Sequence, residues 1–367
     1  MKSALYKFVH CLFSCCCIQV KPVLFLISLA LSSALVLQLV LLVNYASKSE
    51  KSPDKKLTLN TNRSFLNAYI DWPKPDPTDK KFYHIIQHTH TDCGWVETMG
   101  DYEKLFVDDI FNTSVHYLKN HTNRQSILSV ANVEFVRSQI KRFPARLQQF
   151  RNLVASGKYN MLNGGIVMPD EACTTYDDLL NNYEYGREYS IELFGEAPRS
   201  AWAIDSFGGS AAAARLFAEM GYDYFAIMRI PWEMLVGRRD NHTLISNWTN
   251  QYPEYSMLTY SLVQHYATPS PYGYRTFGNL SIMAIEFTGF EWTYNFYLRI
   301  TEASNHYKEK NNIIFIGDDF VFTDFNYEVT NFAKVYTLLM SNYKGPFKAY
   351  GYKLSTAQEA FEAIRSE

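Results

Sequence analysis

His90 and Asp92, a histidine and a carboxylate two residues apart, are the first side chains here whose types and spacing could do chemistry. They follow the aromatic and β-branched run 82–86, which predicts a buried strand, and they precede Gly94, which can turn the backbone. In an extended chain, residues i and i+2 point to the same side. An imidazole and a carboxylate at a strand end can hold a divalent metal, most naturally zinc. The alternative is an ordinary polar surface turn.

Two further predicted strands also end in carboxylates. The apolar run 200–204 leads into Asp205 and a glycine-rich turn, and the apolar run 313–316 leads to Asp318 and Asp319. Barrels built from alternating strands and helices place their catalytic groups at the carboxyl ends of strands. We therefore expect these carboxylates to lie near His90. Two alternatives stay open, because Asp205 could be a helix N-cap and one of the paired aspartates could only bind backbone.

These strand ends resemble motifs of glycoside hydrolase family 38, the retaining α-mannosidases, and most closely its Golgi α-mannosidase II branch. The family motifs read HSHNDPGW, TGGWVMPDEA, DPFGHS and GDDF. Here the corresponding stretches are HTHTDCGW at 88–95, NGGIVMPDEA at 163–172, DSFGGS at 205–210 and GDDF at 317–320. The motifs keep the family order, and the resemblance covers roughly residues 80 to 365. It implies an α/β fold, a parallel (β/α) barrel-like domain of the seven-stranded family type.

The resemblance assigns roles to these residues. It implies that Asp205 is the nucleophile and Asp319 the acid/base, the carboxyl pair that a retaining glycosidase needs. Asp318 is a like charge next to Asp319, which favours one of the two keeping a proton. It further implies zinc held by His90, Asp92 and Asp205. By the same resemblance, the substrate-binding residues are Trp95, Phe207, Arg229, Tyr272 and Asp318.

The sequence departs from the family pattern at several of these positions. Cys93 and Ser206 replace prolines that stiffen two of the turns, and Gly209 replaces a histidine. The family also has a later histidine as a zinc ligand. We find no counterpart for it before the sequence ends at Glu367, ahead of the family's remaining domains. Four histidines are conceivable substitutes: His84, His88, His265 and His306.

The leading hypothesis is a retaining, zinc-dependent α-mannosidase that trims mannose from N-glycans in the secretory pathway, with the activity of these 367 residues left open. One alternative is a membrane-anchored glycan-binding relative without catalysis. Another is a metal hydrolase similar to polysaccharide deacetylases, against which the GDDF and MPDE stretches count. The net charge of −2 argues against nucleic acid as a partner. A homodimer stays open.

The N-terminal region predicts a membrane anchor. Residues 23–43 are uncharged and rich in leucine and valine, long enough for a transmembrane helix. Lys2, Lys7 and Lys21 precede this span and no acidic residue does, so the positive-inside rule places the N-terminus in the cytosol. We expect a tail at 1–22, a signal anchor at 23–43, a stem at 44–80 and a lumenal catalytic domain at 81–367. A cleaved signal peptide is the alternative.

Six glycosylation sequons follow the predicted span, which fits a single-pass type II protein of the Golgi membrane. They begin at Asn62, Asn112, Asn120, Asn241, Asn247 and Asn279. On the same side of the membrane, Cys93 and Cys173 could form a disulfide.

Glycosylation provides the test of this topology. We expect endoglycosidase digestion of the chain expressed in eukaryotic cells to lower its apparent mass, because oligosaccharides are added only on the lumenal side. Gel mobility before and after digestion measures this. An unchanged mass with all six sequons intact would contradict the predicted orientation.

Overall fold

The computed structural model of the chain describes residues 81–121, 126–249, 255–269, 296–340 and 351–367. All of them belong to one compact unit, Trp72–Glu367. The predicted span 23–43, the stem and Tyr272 lie outside the described residues. Within the described ranges, no helix combines the length and apolar character needed to cross a membrane.

Strands and helices alternate along most of the chain. The strands are β1 Phe82–Gln87, β2 Leu128–Val130, β3 Tyr159–Met161, β4 Ser200–Ala203, β5 Tyr224–Ile227, β6 Ile245–Trp248, β7 Met257–Ser261, β8 Asn311–Ile316 and β9 Gly351–Leu354. The helices are α1 Met99–Tyr102, which continues through a π-helical turn Glu103–Val107 into α2 Asp108–Asn120, then α3 Val133–Arg142, α4 Arg146–Ala155, α5 Tyr176–Phe194, α6 Ala211–Glu219, α7 Trp232–Asp240, α8 at 296–304, α9 Phe325–Met340 and α10 Ala357–Arg365.

The described strands form three sheets, in the orders β8-β1-β9, β2-β3 and β4-β5-β7-β6. Every strand pair is parallel except β6 with β7, an antiparallel pair that the sequence did not predict. A parallel bridge from His88 to Ser129 joins the end of β1 to β2, and the Asn163 N–H donates to Ser200 O at 2.9 Å between β3 and β4. The prediction of a parallel-sheet α/β domain is confirmed, and its closure into a barrel stays a prediction.

The core lies on both faces of the short strands. All residues of β4 and β5 are buried, as expected for parallel strands that helices cover on the outside. Trp202 on β4 is 1% exposed and packs against Phe315 of β8 with ring centroids 5.3 Å apart. On β5, Tyr224 stacks on Phe361 of α10 at 5.0 Å. These rings fix the strands whose ends carry Asp205 and Asp319.

One predicted helix is two helices. Apolar residues at helical spacing between 134 and 156 predict one continuous helix, but α3 ends at Arg142 and α4 begins at Arg146. Pro144 lacks an N–H group, and its ring pushes the preceding residue out of the helical region. Phe143 accordingly has φ −134° and ψ 75°. The helix prediction was therefore wrong at this point.

Helix α5 supports the loop that carries the NGGIVMPDEA motif. It begins with a capping box between Thr175 and Asp178, and it ends at Gly195 with φ 84°. Asn182 on this helix accepts the Val167 N–H at 3.0 Å through its side chain. A Cβ built on Gly186 would lie 2.7 Å from Gly165 C and would collide with the Gly164 carbonyl oxygen. The helix thus packs directly against the backbone of the loop.

This close approach makes Gly186 sensitive to a single methyl group. We expect Gly186→Ala to lower the free energy of unfolding by about 1–3 kcal/mol, because the clash with backbone outweighs the better helix propensity of alanine. Denaturant unfolding measures the change. The matched control is Gly237→Ala in α7, where a Cβ would meet no atom within 4 Å. The control should keep or gain stability, and an equal loss in both variants would contradict the packing argument.

Candidate active site

The loops that follow β1 and β8 pair with each other beyond the strands. The His90 N–H donates to Asp318 O at 3.1 Å, and the Phe320 N–H donates to His90 O at 2.8 Å. A parallel bridge relates His90 to Asp319. The first and last predicted motifs therefore lie side by side, held by backbone hydrogen bonds.

Three predicted metal ligands converge at this edge. His90 is 4% exposed, and its Nε2 lies 3.1 Å from Asp92 Oδ1 and 3.5 Å from Asp205 Oδ2. Ligand atoms around tetrahedral zinc are roughly 3.4 Å apart for bonds of about 2.1 Å. The two separations from His90 and the donor types suit zinc ligands, but no group of three or more histidine, cysteine, aspartate or glutamate side chains among the described residues is arranged to hold a metal ion.

The charges around His90 also suit a cation. Burial alone disfavours the charged imidazole, but the hydrogen bond and charge of Asp92, with the charges of Asp205 and Asp319, raise the pKa of His90 overall. A raised histidine pKa in a buried place reports an excess of negative charge there. A bound cation would neutralise that excess.

Arg229, at the end of β5, holds Asp205. Its Nε donates to Asp205 Oδ1 at 2.7 Å, and its Nη2 donates to the same oxygen. The guanidinium also lies over the Phe207 ring, 4.7 Å from the centroid. Burial raises the pKa of Asp205, even though the Arg229 hydrogen bonds and the His90 charge act in the opposite direction. The arginine thus fixes the carboxylate with one oxygen engaged and the other toward His90.

Tyr266 was missed by the sequence analysis. Its hydroxyl donates to Asp319 Oδ1 at 2.6 Å, its backbone oxygen lies 3.0 Å from His88 Nε2, and its ring centroid is 5.3 Å from that of His90. Burial and the hydrogen bond to Asp319 raise the pKa of Tyr266. With 27 tyrosines in the chain, no pattern in the sequence distinguishes this one.

The two adjacent aspartates have different surroundings. Asp318 Oδ1 accepts the Asp319 backbone N–H at 2.9 Å, so the backbone-binding alternative that the sequence left open describes Asp318. Asp319 carries the Tyr266 hydroxyl on one oxygen and lines the cleft. Of the pair, Asp319 is therefore the one whose side chain lines the cleft.

Most of the predicted site residues line a cleft of about 400 Å³; Asp318 is not among the residues that line it. Trp95 is 77% exposed and Phe207 51% exposed, so each offers an aromatic face to a ligand. The predicted residues in the cleft wall are His90, Asp92, Trp95, Asp205, Phe207, Arg229 and Asp319, and Tyr266 lies beside them.

The four histidines that were conceivable substitute zinc ligands lie in different surroundings. His84 bonds Ser355 and Asn311, His88 is buried among aromatic rings, and His306 contacts Arg239. Among these four, His265 is the one that lines the cleft. The disulfide that the sequence left open is not formed, because Cys93 and Cys173 are both free thiols, and Cys93 lies in the cleft wall.

Two carboxylates of the MPDE stretch also reach the site. Asp170 Oδ1 accepts the Phe207 N–H at 2.9 Å, and Glu171 Oε2 accepts the Ser210 N–H at 2.7 Å. Glu171 is 8% exposed, and burial raises its pKa to about 7, although the Ser210 hydrogen bond acts in the opposite direction. The sequence alone gave no role to Asp170 or Glu171.

Carboxylates from two strand ends, a histidine beside them and exposed aromatic rings, all around one cleft of an α/β domain, are typical of a glycosidase site. Residues 81–367 match the family model described as the glycosyl hydrolases family 38 N-terminal domain. The chain therefore belongs to glycoside hydrolase family 38, a family of glycosidases.

Two curated relatives are named as alpha-mannosidases. The chain is 29% identical over 281 residues to the lysosomal alpha-mannosidase of Dictyostelium discoideum. The matched region covers 71% of this chain and 27% of that protein. It is 27% identical over 333 residues to alpha-mannosidase B of the same organism, 77% of this chain and 30% of the relative. The chain thus spans less than a third of the length of these relatives.

A solved structure agrees in fold. An alpha-mannosidase from Enterococcus faecalis V583 superposes with a TM-score of 0.60 at 14% identity, covering 78% of this chain and 30% of that one. A family 38 protein from Enterococcus faecalis gives a TM-score of 0.52 at 11% identity, covering 78% of this chain and 28% of that one. At these identities the likeness concerns the fold alone.

Glu171 gives the site a measurable effect of pH on stability. Its carboxyl has an ordinary pKa of 4.5, whereas burial in the folded protein raises the pKa to about 7. Between these values the folded state binds more protons than the unfolded state, so this group lowers the free energy of unfolding as the pH rises. The contribution is roughly 3 kcal/mol between pH 4.5 and pH 7.

We expect Glu171→Gln to remove this contribution. Denaturant unfolding at pH 5 and pH 8 should show a smaller loss of stability toward pH 8 in the variant than in the wild type. Other titrating groups affect both proteins equally, so the difference between the two profiles isolates Glu171. Superimposable profiles would contradict the assignment.

Proposed function

We propose that the chain is the catalytic part of a retaining α-mannosidase that removes mannose from N-glycans. The observation that carries the proposal is that Asp205 and Asp319 face one cleft, each held by a dedicated partner, Arg229 and Tyr266. The activity named for the curated relatives supports mannose as the sugar. The proposal includes the seven-stranded barrel of the family.

The proposed reaction has two steps. A carboxylate oxygen of Asp205 attacks the anomeric carbon, the glycosidic bond breaks, and Asp319 gives its proton to the leaving oxygen. Asp319 then takes a proton from water, which attacks the same carbon and releases Asp205. Two displacements retain the configuration of the sugar. Arg229 orients the attacking carboxylate, and Tyr266 leaves one oxygen of Asp319 available for proton transfer.

We further propose zinc as the metal, held by His90, Asp92 and Asp205. The ligand separations and the excess negative charge support it. When bound, zinc supplies charge stabilisation and a template for sugar hydroxyls. The chain's own residues bind the rest of the sugar: the exposed faces of Trp95 and Phe207 suit the apolar face of a pyranose. Roles for Tyr272 and Asp318 in binding stay proposals.

The location that we propose is the lumenal side of the Golgi membrane, with the chain anchored by residues 23–43. The sequon asparagines within the described residues support a lumenal domain, because all of them are solvent-exposed. They are Asn112, Asn120, Asn241 and Asn247.

Turnover of an aryl α-mannoside tests the proposed function. We expect the wild type to release the aryl group, and Asp205→Asn to abolish turnover while remaining folded, because an amide cannot act as the nucleophile. Asp319→Asn should recover in part with good leaving groups, because they need less acid assistance. The matched control is Asp177→Asn, which changes an exposed aspartate of α5.

The outcomes separate the hypotheses. Binding of mannose without turnover by the zinc-loaded wild type would favour the non-catalytic glycan-binding alternative. Equal loss with every leaving group in Asp319→Asn would remove Asp319 from the role of acid.

A further inference from the structure

The turn that follows the Asp205 strand lacks internal stiffening. Ser206 occupies the position where the family pattern has proline, and Gly208 has φ +77°, a left-handed conformation that glycine adopts freely. Neither residue restricts the conformations that this turn can adopt in the unfolded chain. Yet this turn must hold Asp205 and, two residues later, the Phe207 ring on which Arg229 lies.

The neighbouring MPDEA loop holds this turn from outside. Asp170 Oδ1 accepts the N–H of Phe207 at 2.9 Å, and the Phe207 carbonyl accepts the N–H of Ala172 at 3.2 Å. The Phe207 peptide is therefore bound on both its donor and its acceptor side. The Asp170 bond is exposed to solvent, so the backbone bond to Ala172 shares the anchoring of Phe207 with it.

Glu171 fixes the other end of the turn. Its Oε2 accepts the N–H of Ser210 at 2.7 Å, and Ser210 is the N-cap of α6, whose hydroxyl accepts the N–H groups of Ala212 and Ala213. Glu171 is 8% exposed, so water competes little for this bond. The carboxylate thus ties the start of the helix to the loop.

Between these two anchors the backbones are in close contact. A Cβ built on Gly208 would lie 2.7 Å from Ala172 Cβ, so only glycine leaves room for the loop there. The loop itself is fixed from behind by Asn182 of α5, which accepts the Val167 N–H. Helix α5 therefore contacts the loop, and the loop contacts the turn.

We propose that Asp170 and Glu171 are positioning residues, whose carboxylates hold the turn 205–210 so that Asp205 and Phe207 stay in their places. Their meaning for catalysis rests on the proposed mannosidase function. The contacts with the turn do not, and hydrogen exchange measures those contacts directly.

Hydrogen exchange of the full chain, followed by mass spectrometry or NMR, tests the anchoring. We expect the amides of Phe207 and Ser210 to be protected in the wild type. Asp170→Ala should speed exchange at Phe207, and Glu171→Ala at Ser210, each by roughly tenfold to a hundredfold. Asp170→Asn and Glu171→Gln keep an oxygen acceptor and should preserve most of the protection. Asp177→Ala, an exposed aspartate a few residues on, is the matched control.

The same variants test the consequence for the reaction. With the aryl α-mannoside, we expect the alanine variants to lose at least tenfold in kcat/KM, and the asparagine and glutamine variants to recover most of it. If Glu171→Ala does not fold, Asp170→Ala, which changes an exposed side chain, still decides whether the loop positions the turn.

Each outcome decides one proposal. Exchange at 205–210 that matches the Asp177→Ala control overturns the anchoring. Faster exchange with unchanged kcat/KM overturns the positioning role. A zinc-loaded wild type without turnover overturns the proposed function, while the exchange rates still decide whether the carboxylates hold the turn.

Discussion

The close grouping of carboxylates in one sheltered cleft is the constraint on which the rest of this site depends. Asp92, Asp205 and Asp319 all line the same cleft. Like charges at short range in a low dielectric repel strongly, so each needs a partner that offsets its charge or fixes its orientation. His90 lies beside Asp92 and Asp205, Arg229 holds Asp205, and Tyr266 holds Asp319. The excess of negative charge around His90 favours a positively charged group at this place.

The scaffold meets this constraint through backbone pairing that continues past the strand ends. Strand β1 pairs with β8 over six residues, and the pairing extends through His90 to Phe320. Gly317 is part of this contact, because a Cβ there would lie 2.8 Å from the His88 ring and would collide with the His88 carbonyl oxygen. The GDDF motif therefore needs glycine at its first position for packing. Strand spacing, rather than side-chain flexibility, sets where His90 and Asp319 lie.

The sequence allowed the strand ends to be predicted because buried parallel strands leave a clear apolar pattern that stops at a polar motif. Asp205 after β4 and Asp319 after β8 follow this rule. Tyr266 could not be predicted, because its role depends on where its hydroxyl lies across two loops. The break at Pro144 had a local signal that the apolar periodicity outweighed. Edge strand β6 has a mixed burial pattern, so alternation does not reveal it.

The turn after Asp205 shows how rigidity can be supplied from different sources. A proline stiffens a turn by limiting the unfolded chain, and it does so without any contact. A carboxylate from a neighbouring loop stiffens it by hydrogen bonds in the folded state, which requires that loop to be rigid as well. In this chain Asp170 and Glu171 provide the contacts, and Asn182 and Gly186 of α5 fix the loop that carries them. The order of the turn 205–210 thus depends in part on how α5 packs against the loop.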